Sequence, residues 1–81
     1  MITLHFLSQY DGEFLGAAEI HDSTAELWSV DGNVDTHIHV GGLYGDELYG
    51  VLVNQFTVDA ELDESDVYIT DYAESEILYA A

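Results

Sequence analysis

The sequence predicts a mainly β domain, built as a small antiparallel sheet or a barrel-like meander of five to six strands. Three observations lead there. Apolar and polar residues alternate with a period of two along much of the chain, Asp-Gly pairs interrupt that alternation at 11–12 and 31–32, and β-branched and aromatic residues fill segments such as DVYITDY. One short helix is the permitted addition, and it makes α+β the alternative class.

The elements follow in chain order. In ITLHFLSQY, Ile2, Leu4 and Phe6 share one face, while Thr3, His5 and Leu7 share the other. Asp11-Gly12 turns the chain, which returns through EFLGAAEIH. In SVDGNVDTHIHV the device repeats: Asp31-Gly32 lies between β-prone flanks, and Thr36, Ile38 and Val40 alternate with Asp35, His37 and His39. Two hairpins are expected. Ser23-Thr24-Ala25-Glu26 also fits a capping box, so residues 23–30 are either a strand or a short helix containing Leu27 and Trp28.

GGLYGDELYG, residues 41–50, is glycine-rich and reads as a loop or a broken edge segment. VLVNQFTVDAEL, residues 51–62, is the longest strand candidate, with Phe56, Val58, Ala60 and Leu62 on one face and Gln55, Thr57, Asp59 and Glu61 on the other. DVYITDY is a further strand. AESEILYAA, residues 73–81, is compatible with a short helix or an edge strand. Nothing divides the chain, so residues 1–81 are expected to form a single acidic domain that buries only about 60 % of its unfolded surface.

Charge dominates the composition. The chain has 17 Asp plus Glu, no Lys and no Arg, for a net charge of -17 with His neutral. An ordinary domain of this size carries about ten cations. Disorder requires low hydrophobicity, whereas 48 % of these residues are hydrophobic, so the chain is expected to fold against its own like-charge repulsion. With no cysteine there is neither a disulfide scaffold nor a Cys-containing structural zinc site. No apolar run approaches the roughly 20 residues of a membrane span. The expected setting is the cytoplasm.

Acidic density rises late in the chain, where TVDAELDESD sets Asp59, Glu61 and Asp63 at alternate positions and adds Glu64 and Asp66. On a strand, such alternate side chains emerge about 6.7 Å apart on one face. DNA phosphates form a comparable row, about one charge per 3.4 Å per strand, and their neutralisation by Lys and Arg supplies most non-specific protein affinity. A row of carboxylates therefore suits a cationic groove. Asp71, Glu74 and Glu76 extend the acidic region. Asp46 and Glu47, beside Tyr44 and Tyr49 in the glycine-rich segment, form a second contact candidate, because tyrosine pairs apolar area with a polar tip.

In size, charge and the absence of basic residues, the whole chain resembles the small acidic DNA-mimic inhibitors, among them phage anti-CRISPR and anti-restriction proteins and the uracil-glycosylase inhibitors. That resemblance is one of class and involves no shared motif or common fold. It implies a basic nucleic-acid-binding protein or CRISPR effector complex as partner, inhibition by exclusion of nucleic acid, no direct nucleic-acid or membrane binding, no cofactor, and action in the cytoplasm of an infected host bacterium.

Rival chemistries are thinner. DAELDESD has calcium-loop oxygens at positions one, three and five, but Glu64 occupies the glycine position and Thr70 the position of the terminal Glu, which excludes an EF-hand. Asp35, His37 and His39 share a strand face and are the weak metal candidates, the basis for a small metal-dependent enzyme. His5 and His21 carry no further signal. No serine has a nucleophile-elbow context, and phosphate-handling chemistry lacks its cationic clamps, so the expectation is a non-enzyme. The alternative to mimicry is a salt-adapted or virion-associated acidic module. Trp28 is assigned to the core.

Overall fold

The computed structural model describes residues 2–71. Strands β1 (Ile2–Ser8), β2 (Phe14–His21), β3 (Thr24–Ser29) and β4 (Asp35–His39) precede helix α1 (Gly45–Ala60), a single 3₁₀ turn (Glu64–Asp66) and β5 (Val67–Asp71). The strands form one antiparallel sheet in the order β4-β3-β2-β1-β5. Among the described residues, a small β domain with one α-helix agrees with the predicted class, and α1 packs on one face of the sheet.

Period-two patterning built the strands as expected. Leu4 and Phe6 of β1, Ala18 and Ile20 of β2, Ala25 and Leu27 of β3, and Val67 of β5 all point into the core beneath α1. Both Asp-Gly turns close hairpins, and Gly12 and Gly32 take positive φ there. Residues 23–30 are strand β3 rather than a capped helix. Pairing with β2 from Gly16↔Ser29 to His21↔Thr24 satisfies the backbone groups that a capping box would otherwise serve.

The largest departure is residues 45–60. The segment expected to be a loop followed by the longest strand is a single helix of 16 residues. Leu48, Leu52, Phe56 and Ala60 recur at intervals of four and line the face against the sheet, with Leu52 and Phe56 fully buried. Val58 and Leu62, expected to be core alternates, are exposed. Thr57 is buried and satisfies its hydroxyl by donating to the carbonyls of Val53 and Asn54. Tyr49 is therefore a helical residue, and Tyr44 is the N-cap without a side-chain capping bond.

Gly16 fixes how closely the layers approach. The Phe6 and Phe56 rings stack at 4.1 Å, and a Cβ on Gly16 would lie 2.7 Å from the Phe56 ring and 2.2 Å from the Trp28 carbonyl oxygen. Only glycine fits between strand and helix at that point. The opposite sheet face carries a smaller apolar group in which Leu7 and Ala17 are fully buried and Phe14 packs edge-on to His5 and Trp28. Trp28 belongs to this group and is 37 % exposed, so it lies outside the main core. Burial pushes the pKa of His5 down. Among the described residues, no helix is long and apolar enough to cross a membrane.

Candidate acidic interface

Antiparallel connectivity gathers particular chain ends. The C-terminal ends of β1 and β3 and the N-terminal ends of β2, β4 and β5 share one end of the sheet, as the pairings Leu7↔Phe14, Gly16↔Ser29, Trp28↔Asp35 and Ser8↔Val67 require. Helix α1 ends there too, because its exit leads through the 3₁₀ turn into β5. Four segments therefore meet at this end. They carry Asp11 and Glu13 between β1 and β2, Asp31 between β3 and β4 with Asp35 at the start of β4, Asp59 and Glu61 at the helix terminus, and Asp63, Glu64 and Asp66 around the 3₁₀ turn.

The regular row expected along one strand does not form. Asp59 lies in the last helical turn, Glu61 takes the left-handed conformation at the helix C-cap with φ 59°, and Asp63 caps the 3₁₀ turn. Replacing a strand by a helix removes the two-residue repeat, so a 6.7 Å spacing cannot arise from these residues. What the fold makes instead is an acidic end of the sheet, and it includes Asp11, Glu13 and Asp31 from the hairpin turns. Their signal was present in the sequence, since successive hairpins return alternate turns to the same end of a meander.

Neutral hydrogen bonds set the positions of several carboxylates. Asp59 accepts from the Thr36 hydroxyl and, at 3.1 Å, from the Gln55 amide, which joins the helix end to β4. Asp31 accepts from the Ser29 hydroxyl at 2.7 Å and from the Asn33 backbone and side chain at 3.0 Å each. Asp63 accepts from the Ser65 backbone N–H at 2.9 Å and hydroxyl at 2.8 Å. These bonds favour the ionised form and hold all three pKa values below the ordinary Asp range, with the Thr36 hydroxyl, the Ser29 hydroxyl and the Ser65 N–H as the respective leading causes. Tyr10 donates to Asp66 at 2.6 Å, and the Gln9 N–H donates to the Asp66 carbonyl at 2.9 Å, tying the first hairpin to the 3₁₀ turn.

Helix polarity adds to the same field. The C-terminus of α1 carries the negative end of its dipole, and its last turn has no basic residue. The dipole by itself therefore disfavours a carboxylate at Asp59 and at Glu61, each by about 0.3–1 kcal/mol at exposed positions, and at Asp59 the Thr36 and Gln55 hydrogen bonds outweigh it. Asp46 and Glu47 occupy the first turn, where the dipole favours them. They lie at the far end of a helix about 24 Å long, so they and the exposed Tyr44 form a separate surface.

The remaining candidates divide. Asp71 closes β5 opposite Leu4, away from the acidic end, while Glu74 and Glu76 lie outside the described residues, as does the segment 73–81. Asp35, His37 and His39 alternate along the exposed side of β4 as expected, but they do not converge as a ligand set: His37 Nε2 stands 3.7 Å from Glu26 on β3. The donor atoms that come together are those of Glu19, His21 and Glu26. No protein-family model, curated protein or solved structure matches this chain.

Proposed function

We propose that this protein is a DNA-mimic inhibitor that blocks the nucleic-acid-binding site of a defence effector, a CRISPR complex in the leading case, within the cytoplasm of an infected bacterial host. One observation carries the reading. Carboxylates from four separate segments gather at one end of a fold whose chain has no Lys or Arg, beside a helix terminus whose dipole disfavours negative charge. The cost has a purpose if a cationic groove supplies the missing counter-charge. Asp and Glu then stand in for phosphates, hydrogen bonds from Thr36, Ser29 and Ser65 keep part of the array ionised and oriented, and nucleic acid is excluded by competition. No catalytic step is involved.

Binding of this kind weakens with salt, since exposed charges are screened over about 8 Å at physiological ionic strength. The test is capture of basic nucleic-acid-binding proteins from a host lysate, followed by elution with duplex DNA or guide RNA. Release of a captured effector by nucleic acid is the expected result. Capture in which nucleic acid displaces no partner would overturn the reading.

A further inference from the structure

We propose that Glu19, His21 and Glu26 form a binding site for one zinc ion on the sheet face opposite α1. Glu19 of β2 pairs directly with Glu26 of β3, and His21 lies two residues beyond Glu19, hence on the same face. One nitrogen and two carboxylate oxygens come within 4.8 Å of one another. The His21 Nε2 to Glu19 Oε2 separation is 3.7 Å. That exceeds hydrogen-bond range, about 2.7–3.2 Å, but approaches the edge of a tetrahedron with metal bonds of about 2.0–2.1 Å, which is roughly 3.3 Å. Small rotamer changes of half-exposed side chains close the difference.

Two further observations favour a cation at this position. Like charges directly opposite on neighbouring strands are destabilising, and the chain has no Lys or Arg to separate Glu19 from Glu26. On the other side of Glu26, His37 of β4 brings a second imidazole to 3.7 Å, where it can orient Glu26 or complete the coordination. Imidazole nitrogen with carboxylate oxygen suits zinc, whereas magnesium and calcium prefer oxygen alone. The site lies on strands, apart from the acidic end, and does not depend on the mimic reading.

The experiment uses untagged, chelator-stripped protein titrated with zinc chloride in physiological salt and a large excess of magnesium. A single tight equivalent is expected, with shifts of the His21 imidazole NMR signals and not those of His39. His21→Gln should weaken zinc binding by about tenfold or more, as should Glu19→Gln with Glu26→Gln. Asp46→Asn, which removes one negative charge away from the site, should leave it unchanged. Thermal melts confirm that the variants fold, and the imidazole shifts are read on the unaltered protein. Displacement of zinc by magnesium, or equal effects of His21→Gln and Asp46→Asn, would identify the ion as a diffuse counterion and overturn the site.

Discussion

The two ends of α1 treat the same residue types in opposite ways. Asp46 and Glu47 occupy its first turn, where exposed backbone N–H groups and the positive end of the dipole stabilise them. Asp59 and Glu61 crowd its last turn among the carboxylates of two hairpin loops and a 3₁₀ turn, with no cation to offset them. The first arrangement is what helix stability alone would select. The second runs against the helix dipole, and it coincides with the place where the sheet gathers acidic turns from distant parts of the chain. A surface whose charge is locally unfavourable yet held by directed hydrogen bonds is the better candidate for recognition.

The comparison breaks altogether if the helix leaves the sheet. Phe56→Ala removes the ring stacked on Phe6 and should cost about 3–5 kcal/mol, enough to unfold much of a small domain and abolish binding, as urea titration would show. Neutralising one end at a time is more selective. Asp35→Asn, Glu61→Gln and Glu64→Gln together should weaken partner binding by about tenfold or more and reduce its salt dependence. Asp46→Asn with Glu47→Gln should change binding much less while costing about 0.3–1 kcal/mol per residue in stability. Equal binding losses from the two sets would show that net charge, and not the acidic end, determines recognition.

Glu61 offers a finer test because its left-handed backbone is unfavourable for any residue with a Cβ. Glu61→Gly should stabilise the fold by about 1 kcal/mol while removing one acidic contact, so stability rises as binding falls. The smallest effect is in pH. Asp31, Asp59 and Asp63 have depressed folded pKa values, so their contribution to stability is present above the unfolded Asp value, about 3.9, and is lost as pH falls through the lower folded values. Thermal melts of the native protein and Asp59→Asn should therefore converge below about pH 4. A gap that stays constant would mean that the Thr36 and Gln55 bonds do not depend on ionisation.

Much of the sheet was readable from local pattern. Leu4 with Phe6, Asp31-Gly32, and Thr36 with Ile38 each specify a strand or turn through interactions within a few residues, and alternation assigns their faces. The helix is masked in the sequence because Val51, Val53, Thr57 and Val58 are β-branched and because Phe56, Val58, Ala60 and Leu62 imitate a strand. The competing interval of four, from Leu48 through Leu52 and Phe56 to Ala60, prevailed. A sheet displaying Leu4, Phe6, Ala18 and Leu27 on one face needs a cover, and a helix presents those four side chains to it together.

Charge and its lack of compensation were determined by the sequence alone, because no fold can supply a Lys or Arg that the chain does not contain. Strand identity was also largely local, being written in a two-residue period. Only the tertiary structure decided where the charge acts. Asp11, Asp31, Asp59 and Asp66 are far apart along the chain, and they come to share one end of the sheet because antiparallel pairing returns alternate turns there and the helix delivers its C-terminus to the same end. The convergence of Glu19, His21 and Glu26 has the same origin, since strand register, and not sequence spacing, sets which side chains face each other across a sheet.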